Sequence, residues 1–150
     1  MKLGKLVGAG DRIIGLTLPF AAAGIAVNVV WPSVFRMGFG RAGLIAGAVL
    51  LAIGVPLWLW AVAQILIYVP QGRLITKGPY ALVLHPIYTV FAFLVIPGFG
   101  LVMDTWIGFL IAGALYASSR LFARSEERQV AEDFPAEYPS YRASVLLPWL

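Results

Sequence analysis

Residues 42–72 read AGLIAGAVLLAIGVPLWLWAVAQILIYVPQG, a run without one charged side chain. A helix rising 1.5 Å per residue crosses about 30 Å of hydrocarbon in about 20 residues, so this run can span a bilayer with a turn or more to spare. Residues 13–35 form a second uncharged run. Residues 78–103 form a third, relieved only by neutral polar groups and His85, and residues 105–119 a fourth. The whole chain has 150 residues, of which 61% are hydrophobic and 12% charged. Its mean hydropathy is +0.88. That is too little polar surface to cover a water-soluble fold. These features predict an all-α integral membrane protein forming a single domain over residues 1–150. About four transmembrane helices are expected, at 13–35, 44–69, 87–103 and 106–122. The last two, joined at Asp104 and Thr105, read as a C-terminal helical hairpin of short or tilted spans. A cytoplasmic segment, 123–150, helical at its start, follows.

Charge sets the expected orientation. Lys2, Lys5 and Arg12 precede the first span, Arg73 and Lys77 lie between the second and third, and Arg120, Arg124, Arg128 and Arg142 follow the fourth. The hairpin tip carries only Asp104. The positive-inside rule therefore places both termini and the 73–88 loop in the cytoplasm of a multi-pass protein of the cell (inner) membrane, with Arg36 and Arg41 opposing. The amino terminus reads as retained, because its first apolar run is long enough to span and charges alternate with glycines before it. The net charge of +4 sits at span ends, where it meets anionic headgroups, so nucleic acid is not an expected partner. With no cysteine, disulfides, thiolate catalysis and cysteine-ligated metals are excluded, and no metal site is expected. Oligomeric state is left open.

Within the spans, Asn28 and Gln64 are the conspicuous polar side chains, and interhelical hydrogen bonding is their expected use. Pro56 with Gly54 predicts a kink in the second span. Pro97 with Gly98 and Gly100 predicts a break or kink in the third.

Two polar segments carry the chemistry. The first is GPYALVLHPIY at residues 78–88, which holds the sole histidine of the chain between two lipid-soluble runs. Gly78 permits close backbone approach, Pro79 and Pro86 stiffen the loop, and Tyr80, His85 and Tyr88 offer polar groups on apolar bodies. The second is EERQVAEDFPAEYPSYRASVLLP, residues 126–148. Nothing between Thr105 and Phe134 breaks a helix, so the fourth span should continue out of the membrane to about Glu132. Adjacent helical residues point about 100° apart, so one of Glu126 and Glu127 is expected to reach inward and the other to be solvated.

Taken together, these segments resemble the isoprenylcysteine carboxyl methyltransferase family and the related phospholipid N-methyltransferases. The family pattern runs Gly-Pro-Tyr, three residues, Arg-His-Pro or Arg-Asn-Pro, one residue, Tyr; after a helical hairpin come Glu-Glu, Phe-Gly, Tyr, two residues, Tyr, Val and Pro. The chain matches at Gly78, Pro79, Tyr80, His85, Pro86, Tyr88, Glu126, Glu127, Phe134, Tyr138, Tyr141, Val145 and Pro148. The likeness covers residues 74–148. It departs at Ala81, at Leu84, where arginine is usual, and at Pro135, where glycine is usual.

The resemblance implies S-adenosylmethionine-dependent methyl transfer to a lipid-soluble or membrane-associated carboxylate, amine or thiol at the cytoplasmic face. It implies cofactor contact at Leu74, Gly78, Tyr80, His85, Pro86, Tyr88, Glu126 and Glu127, with His85 the candidate catalytic group. The acceptor is expected to enter from the bilayer. Leucine at 84, lacking a cation, implies an acceptor with little negative charge near the reacting atom. The alternatives are an NADPH-dependent membrane reductase of related fold and a non-catalytic membrane scaffold. A reductase would need a cation cluster for its phosphates, and the loop offers only Arg73 and Lys77.

Overall fold

The computed structural model describes residues 4–150, with side chains from Asp11 onward. Lys2 and the side chain of Lys5, both counted in the charge argument, lie outside the described residues. The chain is all helical. Helix α1 (Gly4–Val30) leads through a one-turn α2 (Pro32–Phe35) to the long α3 (Gly40–Tyr68). A loop containing the short α4 (Pro79–Leu82) enters a continuous helical stretch made of α5 (Pro86–Val90), a π-helical turn (Phe91–Val95) and α6 (Ile96–Val102). After a tight turn, α7 (Ile107–Asp133) runs back past the others, and α8 (Tyr138–Ser144) folds under it. Two segments, Asp11–Val30 and Gly40–Tyr68, are long and apolar enough to cross a membrane, and Pro86–Val102 is a shorter apolar helix.

The first expected span ends early. Helix α1 stops at Val30 rather than reaching residue 35, because Trp31 adopts φ −127° and ψ 62° ahead of Pro32. A residue before proline is pushed out of the helical region, and the proline then starts the next turn. The third expected span is also not broken at Pro97. Proline has no N–H to give the carbonyl one turn earlier, and the helix absorbs this by widening: Ile96 N–H donates to the Phe91 carbonyl, five residues back. A π turn of this kind keeps the chain helical across the defect. Helix α3 likewise continues unbroken through Pro56.

The far ends of the helices are clasped together. Asp104, at φ 52°, caps the α6–α7 turn, and its carboxylate accepts from Phe39 N–H at 3.1 Å. Trp106 donates its backbone N–H to the Phe35 carbonyl at 3.0 Å and its indole N–H to Val34 at 3.0 Å. Asn28 acts as expected, accepting from the Thr105 hydroxyl at 2.8 Å. Gln64 does not: its side-chain oxygen is buried with no hydrogen-bond partner.

Glycine sets the spacing between helices. A Cβ at Gly47 would lie 2.6 Å from the Gly98 carbonyl oxygen, and one at Gly54 2.6 Å from Leu94 Cβ, so α3 and the α5–α6 stretch touch backbone to backbone. Gly108 and Gly100 do the same between α7 and α6, with a Cβ at Gly108 only 2.8 Å from Gly100 Cα. Between membrane helices there is little hydrophobic driving force, so association relies on such close contact. On α1, Ile13 is completely buried against the cluster of Ala92 and Leu115.

Gly47→Ala should destabilise the protein by about 1–3 kcal/mol, since the added methyl must push backbone atoms apart. Gly113→Ala, where a Cβ would meet nothing within 4 Å, should be neutral or stabilise by up to about 1 kcal/mol through helix propensity. Thermal unfolding of both variants in one detergent checks the contrast.

Candidate active site

The start of α5 and the last third of α7 meet at His85. Pro86 begins α5, so His85 occupies the N-cap position with φ −123° and ψ 62°, and its ring turns towards α7. Glu126 and Glu127 flank that ring. His85 Nδ1 lies 3.2 Å from Glu126 Oε2, and Nε2 lies 3.6 Å from Glu127 Oε1. Both carboxylates therefore turn inward, contrary to the expectation that one would be solvated. A histidine placed between them lets two long side chains converge from directions about 100° apart. Each acid has a further partner: the Tyr88 hydroxyl donates to Glu126 at 3.3 Å, and the Tyr138 hydroxyl donates to Glu127, also at 3.3 Å. Arg142 completes the set, with Nε 3.3 Å from Glu127 Oε2.

These groups form one rim of a cleft of about 190 Å³, whose other walls come from α3 (Ile65, Val69), the loop after it (Leu74, Ile75, Tyr80) and the end of α7 (Val130, Phe134). The walls are apolar and the rim is acidic, with Glu126, Glu127 and Asp133 against Arg73 and His85. One polar atom is left over. His85 Nε2 is buried with no hydrogen-bond partner, 3.6 Å being too long for one.

Electrostatics favour the charged pair. Burial opposes a charge on His85, but Glu126 and then Glu127 outweigh it, so its pKa lies above the ordinary 6.5. Glu127 is held below the ordinary 4.5, most of all by His85, with burial opposing and Arg142 and Tyr138 assisting. Burial raises the phenols of Tyr80 and Tyr141 above their ordinary value, which keeps both hydroxyls as donors.

A carboxy-terminal strap, residues 138–150, borders the cleft through Tyr138 and Tyr141. The Tyr141 hydroxyl donates to the Tyr80 carbonyl at 2.8 Å, and the N–H groups of Leu146 and Leu147 donate to Ala81 and Leu82 at 3.1 and 2.9 Å. Leu84 is buried with Tyr138, Tyr141 and Val145. Leucine at 84 thus seats the strap on the loop, a role its apolar side chain explains without reference to an acceptor.

Of the residues singled out in the sequence, Leu74, Tyr80, His85, Pro86, Tyr88, Glu126 and Glu127 line the cleft. Gly78 does not. It sits at φ 64°, and a Cβ there would lie 2.7 Å from the Trp60 ring. Its smallness and left-handed backbone let the loop fold against α3. Sequence reasoning missed Ile65 and Val69, which are indistinguishable from their neighbours within an apolar run, and gave no site role to Arg142; it expected Tyr138 and Tyr141 to fold back against the pocket, and both line the cleft. The spacing of Tyr138 and Tyr141 within the second motif was the signal.

The fold and cleft define a class: a helical, membrane-type protein whose acidic, apolar-walled site lies at the helix ends. Residues 43–132 match the model of the isoprenylcysteine carboxyl methyltransferase (ICMT) family. The match covers more than half of the chain, and the protein belongs to that family. It is an S-adenosylmethionine-dependent methyltransferase acting on a lipid-associated acceptor. No curated protein and no solved structure matches the chain.

The coupled shifts of His85 and Glu127 give a pH signature. A raised histidine pKa stabilises fully below about pH 6.5, and that contribution is lost as pH rises through the folded value. A lowered glutamate pKa stabilises above about pH 4.5 and is lost as pH falls through the folded value. Thermal stability should therefore be greatest between these limits. It should fall on the alkaline side in the native protein and lose that alkaline fall in His85→Gln, as melting curves across pH would show.

Proposed function

We propose that the cleft between the 74–88 loop and the inner end of α7 holds S-adenosylmethionine and its methyl acceptor together. The observation that carries this is the buried histidine, engaged at Nδ1 and unpartnered at Nε2, between two carboxylates in an apolar-walled cleft. The residues suit the cofactor. Glu126 and Glu127 supply anionic acceptors for ribose hydroxyls or an ammonium group and balance a sulfonium charge, while Leu74, Tyr80, Pro86 and Val130 offer apolar surface to an adenine. An NADPH phosphate group, by contrast, would meet more acids than cations there.

When bound, the cofactor supplies a methyl group on a positively charged sulfur, open to in-line displacement. What the chain supplies is position and dryness. The converging side chains hold two reactants at near-attack distance, and the strap over Tyr80 and Leu84 limits water. A carboxylate acceptor needs no base, which fits a site whose imidazole is already engaged at Nδ1. An amine or thiol would have to surrender its proton to one of the acids, since an imidazole held in its charged form already carries a proton on Nε2.

The same reading gives the topology. Four crossings, by α1, α3, the α5–α6 stretch and the first part of α7, bring the cleft to the cytoplasmic face with both termini on that side. The acceptor reaches the cleft laterally, past Ile65 and Ile87.

Replacing Glu126 and Glu127 together by alanine removes charge-assisted bonds worth about 1.5–3 kcal/mol each. Affinity for S-adenosylmethionine or its demethylated product should fall at least about tenfold. Arg124→Ala, on the same helix but outside the cleft, should leave affinity unchanged. Titration calorimetry on the three proteins checks this, and equal affinity in the double variant would sink the assignment.

A further inference from the structure

The depth of the carboxy-terminal strap can be read from helix register. Helix α3 and the α5–α6 stretch run antiparallel, with Gly47 against Gly98, Gly54 against Leu94, and the Trp58 ring 5.4 Å from Phe91. Continued towards the start of α5, this register sets Pro86 level with the turn of α3 that holds the buried Ala61 and Gln64. Gly78 confirms the level, since it packs on Trp60. The loop after α3 therefore does not stay beyond the helix end at Tyr68 but descends about two turns along it.

That level has a meaning in a bilayer. Arg36, Arg41 and Asp104 mark the opposite surface, and the apolar run of α3 begins at Ala42. About 20 residues, or 30 Å, carry the helix from Ala42 to Ala61. The α4 turn thus lies at the boundary of the hydrocarbon layer. The strap is tied to that turn by the hydrogen bonds of Leu146 and Leu147 to Ala81 and Leu82. Beyond the exposed Arg142 and Ser144, the outward side chains of the turn and strap are apolar: Leu82 is 47% exposed, Leu146 68% and Trp149 63%. Residues 143–150 carry no charged side chain. On the neighbouring outer face of α3, Trp60, which packs on Gly78 at the start of the same turn, is exposed, as is Leu59.

We propose that the strap is a membrane-seated wall of the cleft, with Leu82, Leu146 and Trp149 immersed in the glycerol and upper acyl region of the bilayer. It is not a tail free in the cytosol. This rests on the spanning reading of α3 and not on the identity of the cofactor. A leucine pair and an indole at such a boundary form the kind of surface that interfacial anchoring favours. Tyr138 and Tyr141, at the root of the strap, line the cleft, so seating the strap in lipid sets that side of the site next to the membrane.

The chain has no cysteine, so a single introduced one takes a nitroxide label at one place only. Leu146→Cys and Trp149→Cys report on the strap, Ile53→Cys on the outer face of α3, and Ala136→Cys on the exposed turn beyond α7. Each labelled full-length protein is placed in phospholipid vesicles, and collisions with oxygen and with a water-soluble nickel chelate are measured. The oxygen-to-nickel ratio at Leu146 and Trp149 should be severalfold above that at Ala136 and closer to that at Ile53. If either strap label gives the Ala136 ratio, the proposal is overturned. If Ile53 itself gives the Ala136 ratio, the spanning reading of α3 falls and the proposal with it.

Discussion

The contact between His85 and Glu126 is the constraint from which the rest of the site follows. It joins the N-cap of α5 to the last third of α7, and Tyr88 on α5 adds a second link to the same carboxylate. Taking a charge out of water is costly, and an ion pair at such depth contributes little net stability while penalising any arrangement that separates its members. Its value is therefore in register. Once His85 is fixed against Glu126, the next residue on α7 must reach the other side of the ring, and Tyr88, one turn along α5, falls within reach of the same carboxylate. A sub-ångström geometry of this kind needs rigid supports. The glycine seam between α3, α6 and α7 supplies them, because backbone against backbone leaves no long side chains to rearrange.

The two ends of the bundle solve different problems with different chemistry. At the far end, the clasp is made of backbone hydrogen bonds to Phe35, Val34 and Asp104, with Asn28 and Thr105 behind it. Buried backbone groups there must find partners within the protein, and those of Phe35, Met37 and Trp106 do. At the inner end, several polar groups are held close together and one, His85 Nε2, is left without a partner. An unpartnered buried donor or acceptor is tolerated where a ligand can complete it.

Much of this was legible in the sequence, and what was not had physical reasons. The long apolar runs located α1, α3 and the α5–α6 stretch because lipid imposes length and removes charge, two properties that read directly from residues. The polar motifs pointed to His85, Glu126 and Glu127 because their types and order carry chemistry. The inward turn of both acids was not legible, since helical spacing describes where a residue starts and not how far a glutamate reaches. Nor was the role of Gly78, which resembled a ligand-approach glycine until Trp60 was found against it. The π turn was hidden for a related reason: Pro97 announces a missing hydrogen bond but not which of several helical adjustments absorbs it. The walls at Ile65 and Val69 left no signal at all, being apolar residues among apolar residues.

The cleft also divides its residues by origin. Its principal charged and hydroxyl-bearing groups come from two short stretches, 80–88 and 126–142, whereas Ile65, Val69, Leu74 and Ile75, from the end of α3 and the loop after it, add apolar wall. Substitutions among Ile65, Val69 and Ile87 exchange one hydrocarbon for another and leave the charged cluster intact. The shape of the cleft can thus drift in small heritable steps while the charged cluster around His85 is preserved. Such an arrangement lets the wall of the cleft change without disturbing the ion pair that holds α5 and α7 in register.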